Sequence, residues 1–325
     1  MPVPDLFKKR LALPVIGAPM FIASCPELVV AQCKAGVPGV FPSINARTPD
    51  ILDEWLTRIH REVEEYRVAH PESPVAPFGV NLIVHSTNPR LSEDLALVVQ
   101  HRVPFVVTSV GKPAETVKAI HEYGGLVFHD VTTVKFAHKA IESGVDGLIL
   151  VCAGAGGHAG TLSPFAFVAE VREFWSGPIA LAGAISTGCA VRAAETLGAD
   201  FAYLGTRFLA TSEANAPDNY KRMIVEHAAA DIVYTSAFSG VPGNYLRPSI
   251  VACGIDPETI AEARGKPMLN LFKPEENKPK AWRDIWSAGH GIGAIRMVSP
   301  VAEVVARLRR EYEDACKFPT TPASA

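Results

Sequence analysis

A chain of 325 residues, 48% hydrophobic and 20% charged, is long and apolar enough to bury a sizeable core in one or two domains. Its net charge of −3 argues against nucleic acid or an anionic membrane surface as the main partner. The 6 cysteines (Cys25, Cys33, Cys152, Cys189, Cys253, Cys316) are scattered. Without a CxxC pair or a Cys/His cluster they make no zinc-type metal site and no disulfide framework, so reduced thiols in a cytoplasmic setting are expected.

Near the N-terminus, Lys8-Lys9-Arg10 precede an apolar stretch, Leu11 to Ala23, and then Ser24-Cys25, which superficially resembles a secretory or lipoprotein signal. Pro14 and Pro19 interrupt that stretch, and cleavage at Cys25 would delete a core strand, so Pro14–Met20 is read as the first strand. No stretch reaches the roughly 20 uninterrupted apolar residues of a membrane span. Short apolar runs then recur, starting near Pro14, Val37, Phe78, Val103, Leu126, Gly147, Pro178 and Phe201. Amphipathic segments lie between them. Pro49–His70 carries Ile51, Leu52, Trp55, Leu56 and Ile59 at helical spacing, and Pro113–Tyr123, Val134–Ser143, Pro164–Trp175 and Thr187–Leu197 follow the same pattern. Gly36, Gly124, Gly144 and Gly198 stand where helices should stop before the next strand. Ser143-Gly144-Val145-Asp146-Gly147 and Leu197-Gly198-Ala199-Asp200-Phe201 repeat one helix-to-strand corner.

Eight strand–helix units predict an α/β fold with a parallel sheet, most economically a (β/α)8 TIM barrel. An open doubly wound sheet is the alternative. It would usually show GxGxxG after the first strand, where this chain has Ala18-Pro19-Met20. Strand eight is expected over Phe201–Phe208. The stretch from there to a last helix, Ser299–Cys316, is too long for a bare loop. It predicts a small, mostly helical insertion subdomain, residues 209–290, over the C-terminal face of a barrel made of residues 1–208 and 291–325. The aromatics Tyr234, Phe238 and Tyr245 of the insertion either line a substrate pocket or build a homodimer interface; both stay open. Pro319–Ala325 is expected to fray.

Active sites of such barrels lie at the C-terminal ends of the strands. At strand six the chain reads GLILVCAGAGGHAGT, Gly147–Thr161. Leu148 to Val151 is apolar without alternation, as in a strand buried on both faces. It opens into Gly154, Gly156, Gly157 and Gly160 around a single ionisable residue, His158. Bare backbone of this kind can press against a flat or phosphorylated ligand. An imidazole with an ordinary pKa of about 6.5 suits a general base near neutrality. Cys152 lies inside the strand run and is expected to be a buried, inert thiol. The loops after strands seven and eight, Ala182-Gly183-Ala184 and Gly205-Thr206, offer backbone N–H groups for a phosphate. Asn81, at the end of strand three, needs partners for its amide, and a heterocycle edge would supply them. Asp130 either orients a ligand or caps the next helix. Arg207 either follows the phosphate loop functionally or forms an outer salt bridge.

Taken together, Ala18-Pro19-Met20, Phe78-Gly79-Val80-Asn81-Leu82, Gly156-Gly157-His158-Ala159-Gly160, Ala182-Gly183-Ala184, Leu204-Gly205-Thr206-Arg207-Phe208 and Ile285-Trp286-Ser287-Ala288-Gly289 resemble the nitronate monooxygenase family, formerly called 2-nitropropane dioxygenases. The order and spacing of these short motifs span nearly the whole chain. The resemblance implies an FMN-dependent barrel with a substrate lid, which oxidises alkyl nitronates or nitroalkanes with O2 to carbonyl compounds and nitrite. It implies His158 as the catalytic histidine. It implies cofactor contacts from Ala18, Pro19, Met20, Asn81, Asp130, Gly156, Gly157, Ala182, Gly183, Ala184, Gly205, Thr206 and His290. The chain departs from many relatives in having Gly183-Ala184 for Gly-Gly, His290 for a glutamine, and Asp130 for a lysine found in some. The same flavin-barrel superfamily includes NAD(P)H-dependent quinone and enoyl-thioester reductases, which is the alternative activity. A non-redox phosphate-binding barrel is a third reading, and the Ala-Pro-Met turn with the glycine-ringed histidine speaks against it.

Overall fold

The computed structural model describes residues 3–260, 279 and 281–317. The tail Pro319–Ala325, and residues 261–278 and 280 of the expected insertion, lie outside the described residues. Nine short strands occur in the first two thirds of the chain: β1 (Val15–Gly17), β2 (Val40–Pro42), β3 (Gly79–Ile83), β4 (Phe105–Ser109), β5 (Leu126–Val131), β6 (Gly147–Val151), β7 (Gly157–His158), β8 (Ile179–Ala182) and β9 (Phe201–Leu204). All but β7 form one parallel sheet in the order β1-β9-β8-β6-β5-β4-β3-β2. A further parallel bridge joins Gly17 to Gly39, and the Gly17 N–H donates to the Pro38 carbonyl at 2.8 Å. The sheet therefore closes on itself, as the eight apolar runs predict, and the open doubly wound alternative is excluded.

Helices α1 (Pro26–Lys34), α2 (Pro49–Ala69), α3 (Leu91–Gln100), α4 (Ala114–His121), α5 (Val134–Glu142), α6 (Pro164–Arg172) and α7 (Gly188–Leu197) fall between the strands. Their starts are written locally. Thr48, Thr133 and Thr187 accept from the N–H groups of Ile51, Phe136 and Ala190, and Pro26, Pro49 and Pro164 occupy first-turn positions where no N–H is missed. Along α2, Leu52, Leu56, Ile59 and Val63 are buried at helical spacing while the charges stay outside. One boundary differs from expectation. Strand eight ends at Leu204, and Thr206–Leu209 turns into a short helix, α8, rather than continuing extended.

The remainder is α9 (Asp218–Glu226), β10 (Ile232–Thr235), β11 (Gly243–Leu246), α10 (Arg247–Ala252), α11 (Pro257–Ile260) and α12 (Val301–Cys316). β11 pairs antiparallel with both β10 and β7, a small second sheet that the sequence pattern does not announce. α12 lies on α7. A Cβ added to Gly188 would fall 2.2 Å from the Leu308 carbonyl oxygen, and the Gly188 N–H donates to Glu311 at 2.8 Å. No helix among the described residues is long and apolar enough to cross a membrane.

The barrel's N-terminal end is plugged from outside the sheet. Phe7, 1% exposed, sets its ring edge-on to Phe105 and Phe201, with centroids 5.3 Å away in each case, and to Phe128 at 6.4 Å. Phe7→Ala is expected to cost about 3–5 kcal/mol of unfolding free energy in a urea titration, from lost transfer energy plus the cavity left behind. A loss below about 1 kcal/mol would show that the ring does not fill the end of the barrel.

Candidate active site

Strand side chains alternate between the barrel interior and the helix layer. Inside, the chemistry changes along the barrel axis. The N-terminal end holds Phe7, Phe105, Phe128 and Phe201. Gly79 and Gly147 make room there, since a Cβ on either would come within 2.7 Å of Phe105 and 2.6 Å of Phe128 respectively. The last inward positions at the C-terminal end are Asn81, Ser109, Asp130, Val151, Ala182 and Tyr203, a mainly small and polar set. The Asn81 amide donates to the Val107 carbonyl at 3.1 Å and to Ser109 Oγ at 2.8 Å. Ser109 Oγ donates to Asp130 Oδ2 at 2.5 Å. The other carboxylate oxygen, Asp130 Oδ1, and the Tyr203 hydroxyl are buried without a partner among the described residues. Burial pushes the Asp130 carboxyl up to about 6, against the opposing pull of the Ser109 hydrogen bond. Burial, then the nearby Asp130, raises the Tyr203 phenol well above its ordinary range. Capping of α5 falls to Thr133, so Asp130 is not a helix cap.

The rim is built from backbone. The Gly154 carbonyl accepts from the N–H of Ala184 at 3.2 Å and of His290 at 2.9 Å. A Cβ on Gly156 would lie 2.8 Å from the Gly289 nitrogen and 3.0 Å from Thr206 Oγ1, and that hydroxyl accepts from the Gly289 N–H at 2.9 Å. A Cβ on Gly205 would touch Ala18 and Met20 at 3.7 Å. The structure thus gathers Ala18, Met20, Gly205, Thr206 and Gly156 on one side, and Gly183, Ala184 and His290 beside Gly154. Asn81 and Asp130 form a separate row reached through Ser109. Pro19 lies in the turn between Ala18 and Met20, Gly157 in β7, and Ala182 at the tip of β8.

His158 does not sit in a free loop. Gly157 and His158 form β7 and pair with Asn244 and Gly243 of β11. The ring is half-buried, its Nε2 lies 2.9 Å from Ser239 Oγ, and the Trp282 indole stands edge-on with centroids 5.1 Å apart. Tyr245, fully buried, donates its hydroxyl to Ser239 Oγ at 3.2 Å. Burial lowers the imidazole's pKa to about 4. Against the ordinary imidazole value near 6.5, burial therefore favours the neutral ring at neutral pH. Trp282 packs against this histidine, and Tyr245 is linked to it through Ser239.

Three further positions singled out in the sequence meet the structure here. Ala184 adopts φ 56, a left-handed conformation costing an L-residue roughly 1–2 kcal/mol, so alanine does not relax the turn. Cys152 is fully buried and burial pushes its thiol up to about 12, which makes it the inert group expected. Arg207 is 3% exposed and joins no ion pair among the described residues, so the outer salt bridge is not formed there. Sequence reasoning passed over Tyr203 and Ser239. The first was within reach, because it lies two residues after the inward Phe201 on the same strand face. The second had no local signal, since it meets its partner 81 positions away.

A nitronate monooxygenase family model matches residues 5–311. A nitronate monooxygenase of Paraburkholderia phytofirmans is 25% identical over 363 aligned residues, covering 96% of this chain and 97% of that protein. A hydroxy-methyl-oxo-octahydroindene-carboxyl-CoA dehydrogenase of Mycobacterium tuberculosis is 26% identical over 277 residues, 84% of this chain and 73% of its own length. Among solved structures, a nitroalkane oxidase from Streptomyces ansochromogenes matches with a TM-score of 0.76 at 25% identity, over 96% of this chain and 99% of that one.

The raised Asp130 carboxyl has a consequence for stability. Its native pKa lies above the unfolded value, so its contribution is fully present below the ordinary pKa near 3.8 and is lost as pH rises through about 6. Between pH 4 and pH 8 the stability of wild type relative to Asp130→Asn should fall by roughly 2 kcal/mol, read from urea midpoints. A difference that does not move with pH would show a freely ionising carboxyl.

Proposed function

The chain belongs to the nitronate monooxygenase family, a family of oxidoreductases, and on that premise we propose that it binds FMN and oxidises alkyl nitronates or nitroalkanes with O2, yielding a carbonyl compound and nitrite. The residues at the C-terminal end of the barrel fit such a cofactor. The buried and unpartnered Asp130 Oδ1 and Tyr203 hydroxyl each cost on the order of 1–3 kcal/mol unless a polar edge meets them, and a flavin ring carries alternating donors and acceptors. Asn81, Asp130, Ala18, Pro19, Met20 and Gly156 would hold the ring. Gly183, Ala184, Gly205 and Thr206 would hold the phosphate, with Gly157, Ala182 and His290 on the same loops. When bound, the flavin would accept electrons from the substrate and pass them to dioxygen.

His158 handles the proton. With a neutral nitroalkane, the bond between the α-carbon and its hydrogen breaks, the electron pair moves onto the nitro group, and the imidazole takes the proton. With a preformed nitronate no base is needed. Because burial holds the ring's pKa near 4, the base form is present throughout neutral and weakly alkaline pH. Residues 209–290 act on this reading as the cover that brings Ser239, Tyr245 and Trp282 to the histidine. The single observation that carries the proposal is a half-buried imidazole fixed by β-pairing at the end of the barrel that holds the unpartnered Asp130 and Tyr203 oxygens.

The relative named as an octahydroindene-carboxyl-CoA dehydrogenase favours a second reading, a nicotinamide-dependent flavin reductase acting on thioesters. One set of measurements separates the two. Purified protein should be yellow with FMN, and nitronate under air should give nitrite. His158→Ala should slow turnover of the neutral nitroalkane by roughly 100-fold or more while sparing the nitronate. Rapid anaerobic bleaching by NADH or NADPH with poor nitronate turnover would favour the second reading. A colourless protein that FMN cannot reconstitute would overturn both.

A further inference from the structure

The hydrogen bonds around Ser239 bear on which nitrogen of His158 carries the proton. A serine hydroxyl has one proton to donate and two lone pairs to offer. Ser239 Oγ lies 3.0 Å from the Val241 carbonyl oxygen, which can only accept. It lies 3.2 Å from the Tyr245 hydroxyl and 2.9 Å from His158 Nε2. The Val241 N–H, at 3.4 Å, is too distant to fill a lone pair well. With the serine proton on the carbonyl, the shorter of its two Val241 contacts, both lone pairs are open to donors, the Tyr245 hydroxyl and the histidine.

We propose that Ser239 is a positioning residue that fixes His158 as the Nε2–H tautomer and so leaves Nδ1 as the nitrogen that takes the substrate's proton. This rests on His158 being the base. In the step, the α C–H bond of the nitroalkane breaks, its electron pair becomes part of the nitronate, and the proton forms a new bond to Nδ1. The resulting imidazolium keeps its Nε2–H on Ser239. The arrangement is supported from three sides. Tyr245 is fully buried and holds the serine oxygen in place. Pairing of β7 with β11 fixes the backbone of His158. Trp282 stands at the ring's edge with an interplanar angle of 82°. Burial keeps the imidazole neutral, so a tautomer exists to be chosen.

Long-range nitrogen–proton NMR of the full-length, histidine-labelled protein reads the tautomer directly, with His158→Gln identifying the signal. Wild type should show a protonated Nε2 and a bare Nδ1, and Ser239→Ala a mixture of the two forms. Ser239→Ala should also lower kcat/KM for the neutral nitroalkane by about tenfold or more while leaving the preformed nitronate within about twofold. Ser239→Thr, which keeps the hydroxyl, should restore both. A wild-type ring protonated at Nδ1, or nitroalkane turnover unchanged in folded Ser239→Ala, would overturn the assignment. If the protein turns over no nitroalkane, the functional reading falls by itself, and the tautomer spectrum still decides the role of Ser239.

Discussion

Backbone lying directly on backbone holds the mouth of this barrel together. Where the loop after β6 meets its neighbours, most of the contacts are peptide on peptide, with the Thr206 hydroxyl the side-chain group among them. The Gly154 carbonyl bonds to Ala184 and His290, the Gly156 backbone abuts Gly289 and Thr206, and a Cβ on Gly243 would fall 2.7 Å from the Gly157 carbonyl oxygen. Glycine is required at Gly156, Gly243 and Gly289 for reasons of volume, and at Gly154 by its positive φ of 82. The contact between Gly243 and Gly157 lets β11 reach β7 and thereby sets the ring of His158. The contacts at Gly154 and Gly156 draw the loops after β8 and β9 together with the segment around His290. One feature of composition, the absence of side chains over a few positions, therefore governs both the rim of the barrel and the histidine.

Inside the barrel, stability and chemistry are divided along the axis. Aromatic rings fill the N-terminal end, where Phe7 enters from outside the sheet. The C-terminal end holds an amide, a hydroxyl, a carboxyl and a phenol, two of them with unmet hydrogen-bonding capacity. Such groups are costly in a closed interior. Their grouping at one end, beside loops that include a strained Ala184, is the arrangement expected where a fold gives up stability to bind something polar. Asp130, with its raised carboxyl, is central to that balance.

Much of this was legible in the sequence. Parallel strands covered on both faces read as unbroken apolar runs, so the eight barrel strands could be placed within a few residues. The glycines at 36, 124, 144 and 198 all adopt positive φ, as helix stops do. What failed was information stored across long separations. The pairing of β7 with β11 depends on chain more than eighty residues away, and nothing near Gly157 announces it. Ser239 entered no expectation for the same reason. The pKa of His158 could not be read either, because burial is a property of the assembled environment. At Leu204 the apolar pattern continued past the true end of the strand, since Phe208 and Leu209 are apolar for a helical reason.

The ring of Phe7 has a further meaning for how the molecule is made. Its partners belong to β4, β5 and β9, and β1 completes its own pairing only with β9. A nascent chain therefore carries its plug and its first strand well before the last surface that receives them, which is synthesised some two hundred residues later. Until then both are without their final partners, and the half-built sheet has open edges. Completion of the barrel is a late, long-range event of high contact order, so assembly of the mouth can only follow translation of β9.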